Sequence, residues 1–358
     1  MKIFKPNCMP LLIGSLPILD HIEAVQIVLK YSPEIPLWPQ LPKYKEEQMI
    51  DQFISGLPAI KNENDRIYMD TKAENFNDQL TSFYEEYIEV SENLQALENS
   101  RFKLTKHTAK GFFDFINELN SNSRNLVAVK GQVTGPITMG IGLKNEEGRS
   151  LFYDDNIRDV ISKHISMKAK WQTHMLSKIN AENPPIIFLD EPGVVSFGSS
   201  TFISISREQV SSLLSESINA IHDANGLCGI HICANGDWSL ALDSDADIIS
   251  FDAYSFFDNF VLYKENIINF INSDKIFAWG IVPTSNPNDI EKENIDSLLN
   301  LWHIQTKQIS DLGIDFDKLM SQSFITPSCG TGSISINHAT KVLELTRDLS
   351  NKIRERIR

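Results

Sequence analysis

A chain of 358 residues is long for one average domain and short for three, so its length favours one large barrel-like domain or two medium ones. Hydrophobic residues make up 42% and charged residues 22%, values that exclude a disordered or fibrous chain. With 33 Lys and Arg against 47 Asp and Glu, the net charge of −14 argues against binding to nucleic acid or to an anionic membrane surface.

The apolar runs and the cysteines also narrow the class of protein. No run approaches the roughly 18 consecutive apolar residues that a membrane span needs. The first 17 residues contain no small-residue cleavage site of the secretory type. Four cysteines are too few for a disulfide-dense scaffold. We therefore expect a cytoplasmic protein with reduced thiols.

Short apolar runs alternate along the chain with longer segments of helical periodicity. Two of the longer segments, Asn156–Asn180 and Ser333–Arg354, carry apolar residues mostly at i, i+3 and i+4 spacing and are predicted helices. The short runs have the length and the Ile, Val and Phe content of buried strands. They are Leu11–Pro17, Ile35–Leu41, Ile67–Asp70, Leu126–Gly135, Ile186–Asp190, Gly229–Ala234, Ile248–Asp252, Ile276–Val282 and Phe324–Cys329.

This alternation predicts a parallel sheet with helices outside it. A (β/α)8 barrel needs eight strands and typically ~250 residues. Ile67–Asp70 is the weakest candidate because it lies in a polar stretch, so we assign it to an excursion between the second and third strands. The rival is an open doubly wound sheet, but no G-x-G-x-x-G or P-loop pattern follows any predicted strand. We expect one domain, residues 1–358, folded as a (β/α)8 TIM barrel with a helical insertion at roughly 55–110.

Three residues of metal-ligating types, one His and two Cys, occur at predicted strand ends, which is where barrel enzymes carry their reactive groups. His231 and Cys233 are two residues apart on one predicted strand, so their side chains share a face. Cys329 ends the last predicted strand. One nitrogen and two sulfurs that meet at one rim would form a zinc site. Asp252 could fill the fourth position, or a substrate could take it.

The cysteines, and two further polar residues of the chain, Asp190 at a predicted strand end and Ser15 in a loop, each also have a purely structural explanation. A buried cysteine is more often a small hydrophobic residue than a ligand, and the close C-x-x-C spacing of zinc ribbons is absent. Asp190 could cap the segment that follows its strand. Ser15 could satisfy backbone groups of its own loop. Composition and spacing do not decide between a functional role and a structural role for these residues.

Six short motifs occur along the chain in an order that resembles that of a known protein family. They resemble the catalytic C-terminal barrel of cobalamin-independent methionine synthase, and the wider superfamily that contains uroporphyrinogen decarboxylase and the zinc-dependent corrinoid:thiol methyltransferases. The resemblance covers about residues 11 to 345, nearly the whole chain. The motifs are Ile13-Gly14-Ser15, Thr134-Gly135-Pro136-Ile137-Thr138, Leu189-Asp190-Glu191-Pro192, His231-x-Cys233, Ala246-Asp247-Ile248-Ile249-Ser250-x-Asp252 and Ser328-Cys329-Gly330.

The resemblance implies that Zn²⁺ binds to His231, Cys233 and Cys329 and that these residues are catalytic. In the synthases a Glu after the sixth strand supplies a further ligand, and Asp252 stands at the matching position. Zinc would remove the proton of an incoming thiol, whose pKa is otherwise near 8.5.

The resemblance also implies an amino-acid site for homocysteine. Ile13 to Ser15 match the loop that holds the carboxylate end of that substrate, and Asp190 matches the residue that holds its amino group. Gln40 lies where the synthases carry a Glu for the same amino group.

Two departures from the synthases indicate the methyl donor. Those enzymes are roughly twice as long, and their N-terminal barrel helps to bind polyglutamyl folate. Their Asp-x-His-Ser run, which delivers a proton, is replaced here by Gly280-Ile281-Val282-Pro283-Thr284-Ser285, which has no His. A methylated corrinoid needs no such proton, whereas methyltetrahydrofolate does. We therefore expect methylcobalamin or a methyl-corrinoid protein to donate the methyl group, with methionine as the product.

Three alternatives remain from the sequence. The thiol could be coenzyme M or another small thiol, although a sulfonate would not suit Asp190. The protein could be a metal-free decarboxylase that resembles uroporphyrinogen decarboxylase, although such enzymes need basic residues to hold several carboxylates. It could also be a non-catalytic partner or a corrinoid-binding module.

Overall fold

The computed structural model describes residues 4–64, 66–122, 124–196 and 205–357. The first long element is α1 (His21–Tyr31), which begins after Asp20 because the Asp20 carboxylate accepts hydrogen bonds from two first-turn amides. An antiparallel hairpin of β1 (Ile60–Glu63) and β2 (Arg66–Met69) follows, then α2 (Phe76–Ser91), α3 (Leu94–Leu97) and α4 (Lys110–Ser121).

Six parallel strands form the main sheet, in the order of the chain. They are β3 (Lys130–Thr134), β4 (Ile186–Asp190), β5 (Leu227–Ile232), β6 (Ile248–Phe251), β7 (Ile276–Val282) and β8 (Ser323–Pro327). The helices between and after them are α5 (Pro136–Gly142), α6 (Asp155–Leu176), α7 (Arg207–Asp223), α8 (Ser239–Leu242), α9 (Ala253–Phe260), α10 (Lys264–Asn272), α11 (Pro287–Lys292), α12 (Ile295–Ser310), α13 (Phe316–Ser321) and α14 (Ile336–Ile357).

Every residue of these six strands is buried, as expected for a parallel sheet that is covered on both faces. Alternate side chains such as Ile186, Phe188 and Ile248 pack together on one face. The residues between them, including Ile187 and Cys228, join a larger core that also contains the helices. This arrangement of a parallel sheet and surrounding helices is compatible with a TIM-like barrel.

The first two predicted strands, Leu11–Pro17 and Ile35–Leu41, are not regular strands in this structure. Each makes only isolated bridges: Pro10 pairs with Ile325, Ser15 with Gln40, and Leu37 with Lys130. Pro36 and Pro39 interrupt the second segment, whereas Pro10 and Pro17 stand at the two ends of the first, and a proline has no N–H to donate to a ladder. The structure therefore has six regular strands in the main sheet with an irregular segment beside each edge, and the count of eight barrel strands stays a prediction.

Most of the run Ile67–Asp70 lies outside the main sheet, since Ile67 to Met69 belong to β2 of the hairpin. Among the described residues, none of the helices combines the length and apolar character that a bilayer crossing requires.

Candidate metal centre and cleft

The sheet brings the three predicted metal ligands together. His231 lies at the end of β5, Cys233 follows just past that strand, and Cys329 follows β8. One ligand atom from each lies within 4.8 Å of the other two. In a flat sheet, strands three places apart would be separated by roughly 14 Å. The sheet must therefore curve strongly to bring β5 and β8 this close.

The two ring nitrogens of His231 have different surroundings. Nδ1 lies 2.9 Å from the hydroxyl of Ser250. Ser250 is the residue of β6 that pairs with His231 in the sheet. Nε2 is buried and has no hydrogen-bond partner. When Ser250 accepts the Nδ1 proton, Nε2 presents a lone pair, which is the form that binds a metal. An orphaned buried nitrogen beside two sulfurs fits a zinc ion.

The two sulfurs of the centre interact with each other. The Cys329 thiol donates to the Cys233 sulfur, and this contact together with nearby His231 lowers the pKa of the Cys233 thiol to about 4. The same contact raises the pKa of Cys329. A thiolate is the form of cysteine that binds zinc, so a lowered pKa at Cys233 suits the role of a ligand.

Asp252 is not among the three residues whose ligand atoms lie within 4.8 Å of one another, and its place as a fourth ligand stays a prediction. It stands at the N-cap of α9, where its Oδ1 accepts from the Ser255 backbone N–H at 2.8 Å. That bond caps the helix terminus, and among the described residues the group of close ligand atoms consists of His231, Cys233 and Cys329. Burial also raises the pKa of Asp252.

A cleft of about 240 Å³ opens over the metal centre. It contains the three ligands and four of the five predicted substrate residues, Ile13, Ser15, Gln40 and Asp190. The fifth, Gly14, lies beside it: a Cβ there would be 2.8 Å from Gln40 Oε1, so a larger residue would displace the Gln40 side chain. The other lining residues are Pro42, Glu47, Met49, Thr134, Pro192, Gly330, Gly332 and Ser333.

Asp190 offers an unsatisfied acceptor at the edge of this cleft. Its Oδ1 is buried and has no hydrogen-bond partner. Burial raises the pKa of Asp190 to about 6, while the charges of His231 and Lys130 oppose that rise. A buried carboxylate without a partner is costly, so this oxygen is suited to bind a cationic group of a ligand.

Ser15 and Gln40 mainly hold the rim of the cleft. Ser15 Oγ accepts from the Gly332 N–H at 3.1 Å, and Ser15 O accepts from the Thr331 N–H and hydroxyl, each at 3.0 Å. The Gln40 amide donates to Gln52. These contacts tie the first segment to the loop after Cys329.

Sequence reasoning missed several polar groups around the cleft. Glu47 is buried, with one oxygen 2.6 Å from His21 Nε2 and the other accepting from the Leu41 N–H at 2.9 Å. Lys130 is buried below the cleft on β3. The sequence does contain a sign of it, because a lysine within the apolar run Leu126–Gly135 is unusual.

Glu191 was also missed, because its role depends on a distant helix. Its carboxylate accepts from the N–H groups of Ile137 and Thr138 at 3.0 and 2.9 Å, and from the Thr138 hydroxyl at 2.6 Å. It thereby caps the N-terminus of α5. Burial raises the pKa of Glu191 to about 7, and these three bonds oppose the rise.

The chain is similar in structure to a methyltransferase from Methanosarcina mazei. The two match with a TM-score of 0.52 and 12% sequence identity over 95% of this chain and 94% of the other. No family model and no curated protein matches the sequence. At 12% identity the likeness shows a shared fold over nearly the full length of both chains.

Proposed function

We propose that this protein is a zinc-dependent methyltransferase that moves a methyl group from a methylated corrinoid to the thiol of homocysteine, with methionine as the product. The observation that carries the proposal is the convergence of His231, Cys233 and Cys329 in one cleft with the unsatisfied carboxylate of Asp190. The similarity to a methyltransferase supports methyl transfer as the class of reaction.

In this proposal His231, Cys233 and Cys329 hold the zinc ion. Zinc would supply a positive charge that favours the thiolate over the thiol, and thiolate sulfur is the better nucleophile. Ser250 keeps the His231 ring in the tautomer and orientation in which Nε2 faces the sulfurs. The sulfur forms its bond to the methyl group as the bond between that methyl and the donor breaks, and the donor keeps the electron pair.

The rest of the cleft orients the amino-acid part of the substrate. Asp190 Oδ1 accepts from the ammonium group, since this oxygen has no hydrogen-bond partner among the described residues. Ser15 and Ser333 also line the cleft, and their hydroxyls would donate to the carboxylate. The volume of about 240 Å³ suits a small amino acid.

The charge of the lining argues against two alternatives. Asp190 and Glu47 are acidic, and no lysine or arginine is among the described residues that line this cleft. A sulfonate thiol such as coenzyme M would lack a cationic partner there. A decarboxylase whose substrate has several carboxylates would lack a cationic partner for each of them.

We also propose that the chain is a single (β/α)8 barrel with an insertion at roughly 55–110. The support is a continuous path of backbone hydrogen bonds between the two edges of the six-stranded sheet. Leu11 donates to Ile325 on β8, Gln40 donates to Gly14, and Lys130 on β3 donates to Pro36. In this proposal the two irregular segments take the places of the first and second strands.

Metal analysis and a donor comparison test this function. Purified protein should contain about one zinc per chain, and Cys233→Ser and Cys329→Ser should each lose zinc and activity. Cys8→Ser is the matched control, because Cys8 is buried beside β8 and lies outside the ligand group. Homocysteine should be methylated by methylcobalamin and not by methyltetrahydrofolate. Full activity in both ligand variants would refute the proposal.

A further inference from the structure

Two polar side chains on β3 lie beneath the cleft in the interior of the fold. Lys130 and Gln132 are both fully buried and point to the same side of the strand. The Lys130 ammonium donates to the Ile13 carbonyl at 2.6 Å and to Gln132 Oε1 at 3.2 Å. It also lies 4.4 Å from the centre of the Phe188 ring. Lys130 does not line the cleft, so it is not placed to contact a substrate.

Gln132 connects the lysine to the second irregular segment. Its amide donates to the Trp38 carbonyl at 2.9 Å. Gln172 on α6 closes the network, since its amide donates to the Gln132 carbonyl at 3.0 Å and its Oε1 accepts from the Trp38 indole at 2.9 Å. Each of these side chains is buried, so these bonds are shielded from water.

The two carbonyls that this network satisfies belong to the irregular segments. Ile13 precedes Gly14 and Ser15, and Trp38 lies two residues before Gln40. Prolines keep both segments from forming a regular ladder with their neighbours. A buried carbonyl without a ladder partner needs another donor, and the two side chains of β3 supply it. The fit is close, because a Cβ on Gly14 would lie 3.1 Å from Gln132 Cδ.

We propose that Lys130 and Gln132 are positioning residues that hold both cleft-facing segments from below, Lys130 through the Ile13 carbonyl and Gln132 through the Trp38 carbonyl. They fix where Ser15 and Gln40 stand without contacting the substrate themselves. The positioning is independent of the proposed function, whereas its consequence, that the pair sets the affinity for the amino-acid substrate, rests on it.

Hydrogen exchange measured by mass spectrometry on the full-length protein tests the positioning directly. Lys130→Met removes the bond to Ile13, so amides in residues 11–18 should exchange about tenfold faster or more. Gln132→Glu still accepts from Lys130 but cannot donate to Trp38 as a carboxylate, so its largest effect should fall in residues 36–42. If Lys130→Met is insoluble, Gln132→Glu carries the test.

Lys168→Met is the matched control. Lys168 is also fully buried, but it lies on α6 and donates only to the Lys103 carbonyl, at 3.4 Å. This variant should leave exchange in residues 11–18 and 36–42 at the wild-type rate. The inference is overturned if the two β3 variants leave those segments unchanged, or if they accelerate exchange throughout the chain in the same way as the control.

Calorimetric titration of the zinc-loaded proteins tests the consequence. Homocysteine and L-norleucine, an amino acid without a thiol, should each bind the two β3 variants about tenfold more weakly than the wild type, at unchanged zinc content. In turnover, KM for homocysteine should rise while kcat stays within about twofold. Loosened segments with unchanged affinity would overturn the link to substrate. A wild-type protein that binds neither ligand would instead overturn the proposed function, and the exchange result would still decide the positioning.

Discussion

Replacing Ser250 with alanine tests whether the His231 ring is held for metal binding. Ser250 is buried, and its hydroxyl lies 2.9 Å from His231 Nδ1. The substitution removes this partner and leaves a buried ring nitrogen without a hydrogen bond. Such an unsatisfied group costs about 1–3 kcal/mol. One tenfold step in affinity corresponds to about 1.4 kcal/mol, so zinc should bind about 10- to 100-fold more weakly, as expected for a residue that orients a metal ligand.

The assay is competition between the metal-free protein and a chromophoric zinc chelator, with circular dichroism to check the fold. Ser250→Thr keeps a hydroxyl and should recover most of the affinity. Ser217→Ala is the matched control, because Ser217 is also buried and bonded through its hydroxyl, to Ser166 at 2.9 Å, but on α7 and away from the cleft. Zinc affinity of Ser250→Ala within twofold of the wild type would refute the assigned role of the ring.

Three further predictions concern other parts of the structure. Asp190→Asn should lower kcat/KM for homocysteine at least tenfold more than for a thiol without an amino group, and equal losses would move the substrate assignment. The hydrogen bond from His222 to Asp247, 2.8 Å long, raises the pKa of His222, so it stabilises the fold fully below pH ~6.5 and less as the pH rises above that value. Urea unfolding should show a larger deficit for His222→Gln at pH 6 than at pH 8.5, and a pH-independent deficit would contradict the sign. Gly135→Ala would place a Cβ 2.2 Å from the Glu191 carboxylate, so the melting temperature should fall, consistent with a cost of about 1–3 kcal/mol from overpacking. An unchanged melting temperature would show that Glu191 can move away.

The pattern of apolar residues along the chain predicts best the strands that are buried along their whole length. The six strands of the sheet overlap six of the apolar runs, since strands covered on both faces are mostly apolar; β3, with Lys130 and Gln132, departs most from this rule. The runs Leu11–Pro17, with one proline at its end, and Ile35–Leu41, with two prolines, were overestimated as regular strands. Their length and apolar content were right, but a missing N–H at each proline removes the ladder bonds that define a strand.

The ligand set illustrates the same division. The pairing of His231 with Cys233 follows from the two-residue period of a strand and needs no tertiary information. The arrival of Cys329 within 4.8 Å depends on the curvature of the sheet, which no local pattern specifies. Asp252 has the right residue type at the right strand end, yet the backbone N–H of Ser255 takes its carboxylate.

The amino-acid pattern alone determines which residues can be strand, helix or ligand, because periodicity and side-chain chemistry are local properties. It also places the reactive residue types at the ends of strands. The tertiary structure decides which of them meet, and it assigns buried charges such as Lys130 to their partners. Which residues meet depends on the curvature of the sheet and on which donor lies close to each acceptor. Both are fixed only in the packed structure of the whole chain.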